Sequence, residues 1–183
     1  MVASGAQQQV LQLLRDLQAS ADLANGRQDF LDFATRHADC CDRALDVGHF
    51  TGSAWLVSAD SQRVLLTHHR KLGRWLQLGG HADGDGDLAQ VALREAGEES
   101  GLADLSVETE IFDLDRHRIP ARDRDPEHWH YDVRFVVRAH GCESFEVSEE
   151  SHALAWRRIE EIAFDASADE SLRRMARKWL ARG

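Results

Sequence analysis

Three glutamates on one helical stretch are the residues of this chain best suited to chemistry. Glu98 and Glu99 follow Glu95 by three and four positions, so on a helix all three carboxylates project from one side. A solvated acidic surface is the simpler interpretation, since like charges there repel by only about 0.2 to 0.5 kcal/mol per pair. Held in one orientation, the cluster instead suits a hard cation, Mg²⁺ or Mn²⁺, which binds phosphates together with carboxylates. This implies cleavage of a phosphorus–oxygen bond.

Two features favour the metal-binding interpretation. The opposite face of the predicted helix carries the apolar residues Leu88, Val91, Ala92 and Ala96. Packing of that face would fix the direction of the carboxylates. A glycine-containing loop, residues 79–87, leads into the helix and can bring backbone carbonyls close to it. Asp87, with Gln90 three positions later, predicts the helix start, and Gly101 predicts its end.

The loop sequence Asp83-Gly84-Asp85-Gly86-Asp87 also invites comparison with the calcium loop of an EF-hand. Such a loop requires glycine at its sixth position and glutamate at its twelfth. Counted from Asp83, these positions hold Leu88 and Arg94. The sequence therefore excludes an EF-hand.

Gly80 and the run Arg94-Glu95-Ala96-Gly97-Glu98-Glu99-Ser100-Gly101-Leu102 resemble the Nudix box, Gly-x5-Glu-x7-Arg-Glu-U-x-Glu-Glu-x-Gly-U, where U is apolar. The match spans 23 residues and departs at one position, where Gly86 replaces the first glutamate of the box. Asp85 and Asp87 flank that position and are candidates to substitute for it. The resemblance implies a Nudix-like α/β/α sandwich with a mixed sheet.

The resemblance also implies an enzyme, a pyrophosphohydrolase that depends on Mg²⁺ or Mn²⁺. Its substrate would be a small nucleotide derivative, a nucleoside diphosphate linked to another moiety, cleaved at the pyrophosphate bond. Carried over to this chain, the metal ligands are Glu95, Glu98, Glu99 and a backbone carbonyl at Gly79 or Gly80. Arg94 would orient a glutamate of the helix by ion pairing.

The general base has two candidates. Glu98 on the helix is the first, and Glu149 with its neighbour Glu150, just before the last predicted strand, is the second. Two other functions remain open on the same fold. One is a sensor that binds ADP-ribose or a similar nucleotide without cleaving it. The other, isopentenyl-diphosphate isomerase, resembles the chain less, because the cysteine of that family has no counterpart around His81.

Ten histidines make the chain rich in imidazole groups. Four of them lie near the box or beside the polar connection 117–130: His81, His117, His128 and His130. Their spacing matches no local metal-binding motif, so a zinc site built from three of them is the less favoured interpretation, behind phosphate or ribose contacts and ordinary surface positions.

The elements that must position these residues follow from the hydrophobic pattern. Helices are predicted over residues 5–20 and about 28–43, with Asn25-Gly26 as a break between them. Ser4 and Gln7 predict a capping box for the first. Strands are predicted at 55–57, 64–66, 75–78, 105–114, 131–137 and 153–159, and a last helix at 170–180. We expect residues 1–46 to be a helical extension and 47–183 the catalytic domain.

The composition of the chain limits the partners and the cellular environments that we expect for it. The net charge of −10 argues against binding duplex nucleic acid, which requires Lys and Arg to neutralise phosphates. Three cysteines cannot form a disulfide framework, and Cys40 and Cys41 are expected to be buried apolar residues. No apolar run is long enough for a membrane span and no secretory signal is visible, so we expect a cytoplasmic protein. A homodimer through the N-terminal helices is a further possibility.

Overall fold

The computed structural model describes residues 4–17, 21–70, 72–121, 126–147 and 151–182. Two helices come first, α1 (Gly5–Asp16) and α2 (Ala21–Arg36). Four strands follow, β1 (Gly48–Val57), β2 (Arg63–His69), β3 (Arg74–Leu76) and β4 (Leu78–His81). Helix α3 (Leu88–Ser100) separates them from β5 (Leu105–Ile119), β6 (His128–Ala139) and β7 (Ser151–Arg158). Two helices end the chain, α4 (Ile159–Phe164) and α5 (Glu170–Leu180). Within the described ranges, no helix is both long and apolar enough to cross a bilayer.

The strands form one seven-stranded mixed sheet in the order β3-β2-β1-β6-β5, with β4 paired to β1 and β7 paired to β2. Strands β1 and β6 are parallel from Gly48 opposite Trp129 to Val57 opposite Arg138. The other pairs are antiparallel. Successive side chains of β6 point to opposite faces of the sheet. Val133 and Phe135 pack with α1, α2 and α3 on one face, whereas Val136 packs with α4 and α5 on the other. The predicted α/β/α sandwich with a mixed sheet is confirmed.

The N-terminal helices form an antiparallel pair joined to the sheet. The Ser4 side chain accepts a hydrogen bond from Gln7 N at 3.1 Å, which confirms the predicted cap. Arg27 donates to Leu14 O at 2.7 Å and to Arg15 O at 2.9 Å, so a side chain of α2 satisfies carbonyls at the end of α1. Phe30 and Phe33 lie in the same core as Tyr131 of β6. The boundary at residue 46 stays a prediction.

The predicted limits of the second helix are wrong. Helix α2 begins at Ala21 and ends at Arg36, so Asn25 and Gly26 lie inside it. A glycine inside a helix costs about 1 kcal/mol relative to alanine. Tertiary contacts outweigh that cost, because the residues that follow Gly26 bind α1 and enter the core.

The segment 117–130 is not a polar connection throughout. Strand β5 continues to Ile119 and β6 begins at His128, and His117 pairs directly with His130. Polar residues can extend this hairpin because β6 also pairs with β1, starting at Gly48 opposite Trp129. All four histidines named in the sequence analysis are therefore strand residues, since His81 ends β4.

Candidate functional site

Helix α3 has both predicted ends and lies directly on the sheet. Asp87 caps it by accepting from Gln90 N at 3.2 Å. Gly101 ends it in the left-handed conformation, at φ 70°, and donates to Gly97 O at 2.8 Å. The apolar face is seated on Gly52 of β1, where a Cβ atom would come within 2.8 Å of Leu88 O. This close contact fixes the direction of the acidic side of the helix.

Two of the three glutamates converge on the Gly79-Gly80 pair of β4. Gly79 N donates to a carboxylate oxygen of Glu99 at 2.7 Å. A Cβ atom at Gly80 would lie only 2.5 Å from Glu95 Cδ, so a larger residue there would displace that carboxylate from its present position. Both glycines pair with β1, Gly80 opposite Gly52 and Gly79 opposite Ser53. The structure therefore joins the predicted loop and the predicted carboxylates at one place.

Arg94 links the acidic side of α3 to the end of β4. Its Nη2 donates to His81 O at 3.1 Å and to Glu95 Oε1 at 2.9 Å, and its Nε lies 4.0 Å from Glu98 Oε1. The hydrogen bond to Glu95 raises the pKa of Arg94 above its ordinary value. The Glu98 side chain is 65% exposed and the Glu95 side chain 17%. Glu98 thus faces solvent while Glu95 is held inside. Glu149 and Glu150 lie outside the described residues.

Gly86, the departure from the box, lies against α1. A Cβ atom there would lie 2.6 Å from Ala6 Cα and 2.7 Å from the Gln9 side-chain oxygen. The backbone of α1 therefore occupies the space that the side chain of a glutamate would need. Asp85 and Asp87 make local contacts, since Asp85 accepts from Asp87 N at 2.9 Å and Asp87 caps α3.

A cluster of histidines lies at the end of the sheet next to this loop. His49, His81 and His130 each offer a ring nitrogen, and these three atoms lie within 4.8 Å of one another. Within the described residues, no other group of three His, Cys, Asp or Glu side chains is as compact. The ring of His128 is 5.1 Å from that of His49, and the ring of His117 is 5.4 Å from that of His130. Sequence reasoning missed His49, whose only signal is its place at the start of an apolar strand.

Burial holds the rings of His49 and His130 in the neutral form. Burial, with smaller effects from neighbouring imidazoles and Arg43, lowers the pKa of His49 to about 4. Burial and the surrounding histidines lower the pKa of His130 to about 2. A pocket of about 180 Å³ opens beside His49, His81 and His128 and is bordered by residues 43–46.

The sequence and the fold of this chain are similar to those of known proteins. The family model described as NUDIX domain matches residues 49–179. A C. elegans Ap4A hydrolase in a binary complex is similar at TM-score 0.56 and 17% identity, with 73% of this chain and 96% of that chain covered. A MutT protein from Methanosarcina mazei Go1 gives TM-score 0.56 and 15% identity, covering 75% and 96%. The NUDIX domain of Shewanella oneidensis NrtR complexed with ADP ribose gives 0.52 and 19%, covering 76% and 91%.

No curated protein sequence matches the chain significantly. The structural similarities, at these identities, show a common fold. The family model covers most of the chain, from the start of β1 to the end of α5. The chain therefore belongs to the Nudix family, and the prediction of a Nudix-type pyrophosphohydrolase is confirmed at the level of the family.

Proposed function

We propose that this protein uses Mg²⁺ or Mn²⁺ to cleave a pyrophosphate bond in a small nucleotide derivative, a nucleoside diphosphate linked to another moiety. The observation that carries the proposal is the convergence of Glu95 and Glu99 on the Gly79-Gly80 pair. At this place two carboxylates lie beside the backbone of Gly79 and Gly80, which have no side chains to cover it. This combination suits a cation that must also contact substrate phosphates.

The residues present fit a hard cation. All the proposed ligands are oxygens, from Glu95, Glu98, Glu99 and the carbonyl of Gly79. They do not form a closed three-residue cage, because the one compact group among the described residues is the histidine trio. Mg²⁺ usually keeps several waters and binds one or two carboxylates together with phosphates, so an open set is appropriate. When bound, such a cation neutralises phosphate charge and lowers the pKa of a coordinated water.

The chain's own residues supply positioning and proton transfer. Arg94 holds Glu95 against the loop through the hydrogen bonds to Glu95 and His81. We assign Glu98 the role of general base, since its exposed carboxylate is accessible to an attacking water. Glu149 is the second candidate for this role.

The decisive experiment compares the turnover rates of the Glu98→Gln and Glu99→Gln variants with that of the wild type. Both substitutions keep the shape of the side chain and remove its charge. We expect each to lower kcat about 10²- to 10⁴-fold, because each removes a metal ligand or the general base. The measurement is released phosphate after phosphatase coupling, with Mg²⁺ or Mn²⁺, on a panel of ADP-ribose, NADH, dinucleoside polyphosphates, nucleotide sugars, CoA and nucleoside triphosphates.

Glu110→Gln is the matched control, because Glu110 is an exposed glutamate of β5 and is not part of the box sequence. Near-normal rates in both helix variants would contradict the assignment. Turnover that persists in Glu98→Gln but is lost in Glu149→Gln would move the general base to the later loop. No turnover of any compound, together with measurable binding of ADP-ribose, would instead favour the sensor function. The complex of the NrtR domain with ADP ribose is a reason to include that ligand.

A further inference from the structure

We propose that His49, His81 and His130 form a binding site for a transition-metal ion of the Zn²⁺ type, separate from the carboxylates of α3. The three imidazoles come from three strands, β1, β4 and β6, that are neighbours in the sheet. The proposal does not rest on the hydrolase function, since none of its ligands is a glutamate of the box.

The geometry is close to that of a three-histidine zinc site. The three ligand atoms lie within 4.8 Å of one another. With Zn–N distances near 2.0 to 2.1 Å, tetrahedral geometry requires about 3.3 Å between nitrogens. Small side-chain rotations would supply the difference. Sheet pairing holds the backbones in place, because His49 is directly opposite His130, and His81 is opposite the nearby Thr51.

His49 is the observation that distinguishes this cluster from an ordinary group of histidines. Its side chain is almost fully buried, at 2% exposure, yet neither Nδ1 nor Nε2 has a hydrogen-bond partner among the residues that the structure describes. An imidazole buried without partners is costly, and buried polar groups are nearly always satisfied. The ring contacts His81, His128 and His130, with centroids 4.8 to 5.1 Å away. A metal ion among these rings would satisfy one of the two unpartnered nitrogens of His49.

The surroundings leave room for a fourth ligand. The pocket of about 180 Å³ borders both His49 and His81, so a water could complete the coordination. His128 is a protein alternative. Its Nδ1 lies 2.8 Å from Pro126 O and its Nε2 lies 3.3 Å from His130 Nε2. A backbone carbonyl that binds one ring nitrogen leaves the other available to a metal, as in many metal-bound histidines.

The donor set selects the metal. Neutral imidazole nitrogens suit Zn²⁺ and its transition-metal neighbours, whereas Mg²⁺ requires oxygen ligands. Gly80 and His81 are adjacent in β4, so the backbone of one strand borders both sites. The chain therefore provides two metal environments of different chemistry on either side of one loop.

The test is metal binding to the full chain, produced without a histidine tag and freed of metal with a chelator. Co²⁺ is the spectroscopic probe and Zn²⁺ the competitor. We expect one equivalent of Co²⁺ to give the visible absorption of a four-coordinate nitrogen site and Zn²⁺ to abolish it. His49→Leu and His81→Ala should each weaken Zn²⁺ binding about 100-fold or more, because each removes one of three protein ligands.

Two variants serve as controls. His140→Ala removes an exposed histidine just after the end of β6, at the opposite end of that strand from His130, and Glu98→Gln alters the acidic side of α3. Both should bind Zn²⁺ as the wild type does. Zn²⁺ should also raise the Tm of the wild type and not that of His49→Leu.

If His49→Leu fails to fold, His81→Ala and the Zn²⁺-dependent Tm decide the matter. The proposal is overturned if the wild type binds no Zn²⁺ at micromolar concentrations. It is equally overturned if His49→Leu and His81→Ala keep wild-type affinity, or if Glu98→Gln removes binding while His81→Ala retains it. The last result would place Zn²⁺ among the glutamates.

Discussion

Arg94 is the residue on which the arrangement of the acidic side depends. A single nitrogen, Nη2, contacts both the carbonyl of His81 and the carboxylate of Glu95, so α3 and the end of β4 share one donor group. The side chain is 38% exposed, and its exposed ion pair with Glu98 contributes little by itself. Its contribution is to fix where the Glu95 carboxylate lies. The guanidinium is suited to this task, because its donors are held in one plane.

We therefore expect Arg94→Lys to impair catalysis without unfolding the protein. Lysine keeps the charge but cannot reach two acceptors with the same geometry. Loss of a charge-assisted hydrogen bond of about 1.5 to 3 kcal/mol corresponds to a fall in kcat of about 10- to 100-fold. Steady-state kinetics measure the fall, and circular dichroism checks the fold. Arg36→Lys is the control, since Arg36 pairs with Asp32 at the exposed end of α2, and both side chains are largely in solvent. Equal activity in the two variants would argue against the positioning role.

At the scale of elements, α1 explains the departure of Gly86 from the Nudix box. The helix lies so close to residue 86 that Ala6 Cα would be 2.6 Å from a Cβ there. Gln7 Nε2 donates to Ala34 O at 2.7 Å, and Ser4 donates to Ala38 O at 2.6 Å, so α1 is fixed to α2 and to the turn after it. The N-terminal helices and the box loop thus form one packed unit. A glycine at 86 is the residue that this packing permits.

Gly86→Ala should destabilise the protein by about 1 to 3 kcal/mol, the usual cost of forcing an atom into a packed interior. The matched control is Gly26→Ala, because Gly26 lies inside α2 and, among the described residues, nothing beyond its own helix comes within 4 Å of its Cβ position. There alanine should stabilise the protein by about 0.5 to 1 kcal/mol. Urea unfolding of both variants measures whether each substitution lowers or raises the free energy of unfolding. A neutral or stabilising Gly86→Ala would show that α1 does not press on the loop.

The sequence correctly predicted the features that depend on residues close together in the chain. The caps of α1 and α3 and the carboxylate side of α3 all follow from residues within one or two turns of each other. The limits of α2 and the length of the β5–β6 hairpin depend on contacts between distant residues, which a single sequence does not reveal. The histidine trio is the clearest case. Its members lie at 49, 81 and 130, and only the pairing of β1 with β4 and β6 brings them together.

At the scale of the whole molecule, a buried ionic network joins the sheet to α5. Arg134 of β6 is 2% exposed and contacts Asp132 at 2.7 Å, Asp115 at 3.1 Å and Asp113 at 3.3 Å. Arg174 of α5 contacts Asp113 at 2.6 Å and Asp115 at 3.2 Å. Three carboxylates and two guanidinium groups satisfy one another here; Arg134, Asp113 and Asp132 are buried, and Arg174 and Asp115 lie at the edge of the network. Removal of one member would leave a buried charge without its partner.

The network predicts how stability depends on pH. Burial raises the pKa of Asp115, but the hydrogen bond from His117 and the charges of Arg134 and Arg174 outweigh it and hold that pKa well below its ordinary value. An aspartate in the unfolded chain takes up a proton near pH 3.9, whereas folded Asp115 does so only at lower pH. Its contribution to the free energy of unfolding is therefore complete above about pH 4 and is lost as the pH falls below that value.

Asp115→Asn should remove this contribution. At pH 7 we expect the free energy of unfolding to fall by about 2 to 3 kcal/mol, less than for a fully buried pair because the side chain is 24% exposed. Below pH 4 the variant should lose stability less steeply than the wild type, since one depressed carboxyl group is gone. Urea unfolding at several pH values between 2 and 7 measures both effects. Asp32→Asn, at an exposed pair, should change neither. If the wild type and Asp115→Asn decline in parallel below pH 4, the acid sensitivity lies elsewhere in the protein.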